Sequence, residues 1–196
     1  MDEQTKMMIA TPKPLLPGLA LALLFVAGLV LPSMPLAADP PAVGGVLPSI
    51  EFNPPPLKDD AAYLAVRNQP FKLAEIKARL VWLEVIGIYC TRCYEQAPKI
   101  NRLHKALAKA GLSGQVKMLA VAAGGTVTEC EHVRKSKQYL YPVAPDEDFR
   151  IHKILGEPRT PFTMLVNTAD GRVLYTHMGV MEETESLLPM IKSHLR

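Results

Sequence analysis

The feature that most constrains the fold is a Cys-x-x-Cys motif, Cys90-Thr91-Arg92-Cys93, that stands between a strand pattern and a helix pattern. The run Leu80–Ile86 before it is apolar and of strand length, which predicts a strand buried on both faces. After it, residues 93–110 repeat apolar side chains at spacings of three and four, which predicts an amphipathic helix. Two thiols at such a junction indicate redox chemistry or metal binding.

The rest of the chain after about residue 59 alternates between strand and helix patterns, which is typical of an α/β domain with a mixed sheet. Thr128 and Glu131 match a capping box and place the start of one of these helices. The further predicted elements are a strand over 117–123, helices over 128–141 and 149–155, and strands over 162–167 and 173–177 joined by an Asp-Gly turn. A last helix is predicted with Pro189 in its first turn and with four apolar residues on one face: Leu187, Leu188, Ile191 and Leu195.

Composition removes several classes of protein. The formal net charge is +3 and comes from interspersed charges without a long basic block, so we expect no nucleic-acid partner. Hydrophobic residues make up 48% of the chain, which excludes disorder throughout. Three cysteines are too few for a framework of disulfides.

The beginning of the chain has the layout of an export signal. Residues 15–31 carry no charge, they follow Lys6 and Lys13, and small residues lead up to Ala38. The uncharged run is short for a membrane span, so cleavage near Ala38 is favoured over a permanent anchor. We therefore expect a periplasmic or otherwise extracytoplasmic protein that meets the membrane only through this segment.

Three regions follow from these patterns. Residues 1–38 are the predicted signal peptide or membrane anchor, and residues 59–196 are the predicted folded domain. Residues 39–58 are rich in proline, which blocks helices and predicts an extended, semi-rigid linker. This linker either spaces the domain from the membrane or carries an edge strand at residues 50–52.

Four features together carry a resemblance to a known family. They are the Cys-x-x-Cys after the first core strand, Thr160-Pro161 before the strand at 162–167, Glu84 six residues before Cys90, and Pro98 inside the predicted active-site helix. Over roughly residues 70–196 the chain resembles the thioredoxin fold, and specifically the exported TlpA-like or redoxin-type thiol-disulfide oxidoreductases. The resemblance implies a central mixed β-sheet flanked by helices and an enzyme that exchanges electrons with the thiols and disulfides of proteins.

The two cysteines have different expected roles. Cys90 at a helix N-terminus meets unpaired N–H groups and the positive end of the helix dipole, so its thiolate is favoured and it is the attacking thiol. Cys93, one turn later, is the resolving thiol. Thr91 and Arg92 between them are expected to tune the reduction potential, the Arg92 charge making the pair somewhat more oxidising. The redox-active pair needs no dissociable cofactor.

Substrate binding is implied by the resemblance at Thr160, Pro161 and Tyr89. In the family the proline is cis and packs against the cysteine pair, leaving the backbone of the preceding residue, here Thr160, to pair with an extended substrate. A trans proline that opens a strand is the alternative. Tyr89 stands where the family usually has tryptophan, a change that bears on substrate preference.

Glu84 is an acid inside an apolar strand. Burial raises the pKa of a carboxyl group, which makes Glu84 a candidate proton shuttle for Cys93, and its position matches the buried acid of thioredoxins. The alternative is that Glu84 faces solvent or pairs with a lysine.

The sequence leaves other roles of the cysteines open. Cys130 is either a small buried hydrophobic residue or, in the first turn of the helix predicted at Thr128, a thiol of lowered pKa. Cys90, Cys93, Cys130 and His132 together would make a four-ligand zinc or copper(I) site, although the spacing is weak evidence for one. A copper metallochaperone and a peroxiredoxin are the alternative functions; Gly87 and Leu83 stand where a peroxidatic motif needs threonine and proline.

The preferred function is a reductant rather than an oxidant. In the resembling family, such reductants commonly receive electrons from a membrane-embedded donor and pass them to protein disulfides. A protein thiol or disulfide is therefore the expected substrate, and a membrane-embedded donor is the expected second partner.

Overall fold

A computed structural model describes residues 39–196, so the signal or anchor predicted over residues 1–38 lies outside the described residues. Between residues 39 and 196, no helix combines the length and hydropathy needed to span a bilayer. The elements are, in chain order, β1 (Glu51–Phe52), α1 (Lys58–Leu64), β2 (Phe71–Lys72), β3 (Leu80–Ile86), α2 (Thr91–Lys109), β4 (Val116–Ala123), α3 (Val127–Lys135), β5 (Val143–Asp146), α4 (Arg150–Ile154), β6 (Phe162–Asn167), β7 (Val173–Met178) and α5 (Leu187–Ser193).

The main sheet has five strands in the order β5-β4-β3-β6-β7. β3 lies at its centre, parallel to β4 on one side and antiparallel to β6 on the other. β5 is parallel to β4, and β7 is antiparallel to β6, to which it is joined by the predicted Asp-Gly turn with Gly171 at a φ of 70°. The predicted mixed-sheet α/β architecture is therefore confirmed.

Alternating side chains of β3 enter two separate cores, because successive residues of a strand point to opposite faces of its sheet. Leu80, Trp82 and Ile86 pack with apolar residues of α2, α3 and α5. Val81, Leu83 and Val85 pack with α1, α4 and the β1–β2 ribbon. Glu84 has the parity of the first set, so its carboxyl group points toward α2.

The proline-rich segment belongs to the folded domain from Gly44 onward, where the Gly44 N–H donates to the Val173 carbonyl at 2.8 Å. Val46 forms an isolated bridge with Arg172, and β1 pairs with β2 at the expected edge-strand position. Leu47, Ile50 and Phe52 are buried, and the Phe52 ring stacks on Phe71 at a centroid separation of 5.6 Å. Residues 39–58 thus do not form a free spacer, because the few apolar side chains of this segment close one side of the core.

The start and end of α3 differ from the prediction. The sequence around Thr126 contains two overlapping capping-box patterns, and the chain uses Thr126 with Glu129 rather than Thr128 with Glu131. The Gly124-Gly125 turn follows β4 directly, so the earlier box begins the helix at the first position available. The helix ends at Lys135, not at residue 141, because the chain turns at Lys137, whose φ is 62°.

Besides the short strand β2, two elements were not predicted. α1 lies in the stretch that follows the prolines, and β5 has the sequence Val-Ala-Pro-Asp, in which Pro145 weakens the strand pattern. Proline is tolerated there because β5 is the edge strand of the sheet. Pro189 does lie in the first turn of α5, as predicted.

The packing of the amino-terminal segment gives a testable prediction. Phe52→Ala removes a fully buried ring that stacks on Phe71, so we expect the free energy of unfolding in urea to fall by about 3 kcal/mol. Val43→Ala, at an exposed side chain of the same segment, is the matched control and should change it by less than about 0.5 kcal/mol. Equal effects of the two substitutions would show that residues 39–58 are a spacer after all.

Candidate active site

Cys90 lies at the junction that the sequence predicted, as the N-cap of α2. Its Sγ accepts a hydrogen bond from the backbone N–H of Cys93 at 3.2 Å. The first turn of a helix leaves its N–H groups without intrahelical partners, so a thiolate here gains donors and the favourable end of the helix dipole. Both cysteines are free thiols, Cys90 half-buried and Cys93 buried.

The surroundings separate the pKa values of the two thiols. Burial raises the pKa of Cys90, but hydrogen bonds from the side chains of Cys93 and Thr160 and from the backbone N–H groups of Cys93 and Arg92 outweigh it, so the pKa lies below its ordinary value. Burial, and then the hydrogen bond with Cys90, raise the pKa of Cys93 to about 12. Cys90 is therefore the better nucleophile near neutral pH.

The Thr160–Pro161 peptide bond is cis, which confirms that prediction. The Thr160 carbonyl lies 3.6 Å from Cys90 Sγ and accepts its thiol proton. The Pro161 carbonyl already has a hydrogen-bond partner within the fold, since it accepts from the N–H of Gly179 at 2.8 Å. Within the described part of the chain, the backbone N–H groups of Arg159 and Thr160 donate to no partner, so this loop presents free donors beside the reactive sulfur.

Glu84 is buried and lies in a network of hydrogen bonds. Its Oε1 accepts from Gln96 Nε2 at 2.7 Å and from Thr163 Oγ1 at 3.3 Å, and its Oε2 accepts from the Tyr141 hydroxyl. Burial raises its pKa, although these three hydrogen bonds act in the opposite direction. The alternative of a solvent-facing or lysine-paired Glu84 is therefore wrong.

Gln96 connects this network to the helix that carries the cysteines. Its amide oxygen accepts from the backbone N–H of Met181 at 3.0 Å, so a single side chain joins β3, α2 and the loop after β7. The sequence carried a signal for it, a polar residue one turn after Cys93 on the buried face of α2. Tyr141 and Thr163 had none, because they approach Glu84 only through the tertiary fold.

The cysteine pair and the network do not share a direct hydrogen bond between Cys93 and Glu84. Tyr139 lies between them: its hydroxyl is 3.4 Å from the Cys93 carbonyl, and its ring meets that of Tyr141 edge to face at 5.8 Å. Burial raises the pKa of Tyr139 far above its ordinary value, so it remains a neutral phenol. The helix turn with the resolving thiol thus contacts the hydroxyl group of a neutral phenol.

Tyr89 and Arg92 lie at the rim of the site. The Tyr89 side chain is 84% exposed, and its hydroxyl donates to Glu129 Oε1. This bond, with those from Thr126, lowers the pKa of Glu129 to about 2. Arg92 assists Cys90 through its backbone N–H, while its guanidinium group extends toward Gly179. Thr91, the first residue of α2, is exposed.

Cys130 is a buried hydrophobic residue of α3. Because the cap is Thr126, Cys130 lies deeper in the helix than predicted, and burial raises its pKa to about 12. The expectation of a lowered pKa is therefore wrong. Residues 39–196 contain no group of three or more His, Cys, Asp or Glu side chains that could hold a metal ion, so the fold does not assemble Cys90, Cys93, Cys130 and His132 into one ligand set.

Comparisons with known proteins agree with this geometry. No protein-family model matches the chain. The chain is 23% identical over 129 residues to thiol-disulfide oxidoreductase ResA of Halalkalibacterium halodurans, covering 65% of this chain and 70% of the relative. It is 26% identical over 123 residues to the protein of the same name from Bacillus thuringiensis subsp. konkukian, covering 63% and 67%.

A solved structure shows the same fold. The crystal structure provisionally described as the thiol:disulfide interchange protein DsbE of Chlorobium tepidum superposes with a TM-score of 0.61. The match covers 79% of this chain and 99% of that chain, with 19% sequence identity. The fold is therefore the thioredoxin fold.

The separation of the thiol pKa values predicts selective alkylation. Only a thiolate reacts with iodoacetamide, so at neutral pH we expect label on Cys90 and little on Cys93 or Cys130. Because the pKa of Cys90 is lowered from its ordinary value of 9.0, the alkylation rate of Cys90 should fall as the pH is lowered, with a midpoint below pH 9.0. Peptide mapping of the reduced protein by mass spectrometry measures both, and Cys93 reacting as fast as Cys90 would contradict the assignment.

Proposed function

We propose that this chain, a redoxin-type thiol-disulfide oxidoreductase of the thioredoxin superfamily, acts outside the cytoplasm as a reductant of protein disulfides, with Cys90 and Cys93 as its only redox groups. The observation that carries the proposal is the unequal pair of thiols, one activated at the N-terminus of α2 and one held protonated by burial. The free N–H groups of Arg159 and Thr160 beside Cys90 support binding of an extended substrate segment.

The reaction proceeds in two exchanges. The Cys90 thiolate attacks one sulfur of the substrate disulfide, forms a mixed disulfide and releases the other sulfur as a thiolate, which takes a proton from solvent. Cys93 then loses its proton and attacks Cys90 Sγ, which closes the Cys90–Cys93 disulfide and releases the second substrate sulfur as a thiolate that takes a proton from solvent. Two electrons pass from the protein to the substrate, and a dithiol donor must later return them.

Glu84 is proposed to accept the proton of Cys93 in the second exchange. Burial raises the pKa values of both groups, and a base of raised pKa is better matched to a thiol of raised pKa than an ordinary carboxylate is. Because no hydrogen bond joins them directly, the transfer requires a bridging water. The bonds to Gln96, Thr163 and Tyr141 fix the carboxyl group on the α2 side of the sheet.

The direction and location of the reaction rest on the resemblance to exported reductants. The export layout of residues 1–38 supports a position outside the cytoplasm, where thiols are oxidised unless a donor keeps them reduced. A membrane-embedded dithiol donor is the proposed source of electrons. Thr91 and Arg92 are proposed to set the potential of the pair.

The equilibrium reduction potential tests the direction. We expect the full chain, titrated against thiol-disulfide buffers, to show a two-electron couple near or below about −250 mV. Cys130→Ser should give the same value, because Cys130 is fully buried and out of reach of the thiol-disulfide buffer. A potential above about −150 mV would identify an oxidant or isomerase instead, and the absence of a couple would end the exchange proposal.

Glu84→Gln tests the proton transfer. This substitution keeps the size of the side chain and removes the base, so we expect the second exchange near neutral pH to slow by about 100-fold while alkylation of Cys90 is unchanged. The mixed disulfide with a model peptide should then accumulate, as it does completely in Cys93→Ser. Tyr141→Phe, which keeps the carboxyl group, is the matched control with a smaller effect. Unchanged resolution in Glu84→Gln would show that the carboxyl group is only structural.

A further inference from the structure

A cleft beside Cys90 is lined by two arginines. Arg92, Arg159, Thr160, Met178 and Gly179 enclose about 220 Å³, room for a single side chain. Thr160 is the residue whose carbonyl group contacts Cys90 Sγ, so the cleft adjoins the reacting sulfur. A Cβ atom on Gly179 would lie 3.7 Å from Arg92 Nη2, which places the Arg92 guanidinium group over the backbone of this cleft.

Neither arginine has a partner of its own in the described residues. The ion pairs found between residues 39 and 196 use other cations, namely Lys99, Arg134, Lys135 and Arg172. The side chains of Arg92 and Arg159 make no hydrogen bond there either, and both residues are exposed. Two uncompensated positive charges at one cleft create a local potential that attracts an anionic group.

The opposite side of Cys90 has a different character. β6 and β7, which support the arginine cleft, lie on one side of β3, and β4, which leads into α3, lies on the other. A second pocket on the α3 side is lined by residues that include Tyr89, Tyr94 and Glu129. Glu129 is ionised throughout the neutral range and repels a carboxylate from that side.

We propose that the protein selects disulfides whose cysteine is flanked by an acidic residue, and that Arg92 and Arg159 bind this carboxylate in the cleft beside Thr160. The proposal deepens the thiol-disulfide exchange proposed above and rests on it. An extended substrate segment that pairs with the free N–H groups at Arg159 and Thr160 runs along this cleft. A side chain next to its cysteine then lies within reach of the two guanidinium groups, which offer paired donors to a carboxylate.

The effect should be modest and sensitive to salt. The two pairs would form at the surface, where one ion pair changes an equilibrium by at most about fivefold. We therefore expect an overall preference of about fivefold to tenfold at low ionic strength. Since exposed charges are screened beyond about 3 Å at 1 M salt, the preference should largely vanish in concentrated NaCl.

The experiment compares synthetic peptides that carry one intramolecular disulfide and differ only in the residues flanking one cysteine: Glu, Gln or Lys. Single-turnover reduction by the reduced full chain gives a rate constant for each peptide. We expect the order Glu, Gln, Lys, from fastest to slowest. Reduction of the same peptides by dithiothreitol corrects for differences among the peptide disulfides themselves.

Variants then locate the preference. The rate constant for the Glu peptide divided by that for the Gln peptide should approach 1 in the variants Arg159→Gln and Arg92→Gln. In the variant Arg159→Glu the order of the peptides should reverse in favour of the Lys peptide. The ratio is measured within one variant, so a change in reduction potential cancels. Arg67→Gln, at an exposed arginine in the segment between α1 and β2, is the matched control and should keep the wild-type ratio.

The outcomes separate this inference from the exchange reaction on which it rests. Equal reduction of all three peptides, or a preference for Lys, would overturn the selection of acidic segments and leave the exchange reaction standing. A preference for Glu that survives in both arginine variants would overturn the assignment to this cleft. Reduction of no peptide at all would overturn the proposed exchange itself, and the selectivity with it.

Discussion

The hydrogen bond from the N–H of Cys93 to the sulfur of Cys90 is the interaction on which the site depends. It exists because β3 delivers the chain to the first residue of α2, where backbone donors have no helical partner. The cap lowers the pKa of one thiol, while the same turn buries the other and raises its pKa to about 12. One helix terminus thus produces two chemically distinct cysteines.

A buried polar network holds the N-terminus of α2 in its position. A carboxyl group buried without partners costs several kcal/mol, and Glu84 is tolerated because Gln96, Thr163 and Tyr141 satisfy it. Gln96 also accepts a hydrogen bond from the loop after β7, so the network joins α2 to β3, to β6 and to that loop. The group proposed to move a proton is therefore part of the framework that positions the thiols.

Two surfaces that differ in charge flank Cys90. The cis Thr160–Pro161 loop presents free backbone donors and two arginines, and the α3 side presents tyrosine rings and an ionised glutamate. The sheet order separates them, because β6 and β4 lie on opposite sides of β3. The proposed substrate segment, bound across the cysteine pair, would therefore meet positive charge on one side and negative charge on the other.

The sequence by itself determined the elements that rest on local patterns: β3, α2, β6 and the cap by Cys90, since apolar periodicity and a Cys-x-x-Cys at a strand–helix junction are short-range signals. It left open which of two overlapping capping boxes begins α3, and it did not reveal β5 or the burial of Phe52. Only the tertiary structure decided that Glu84 is buried and that Arg159 stands beside Cys90. Those contacts join residues distant in the chain, and side-chain periodicity carries no information about which distant residue completes a contact.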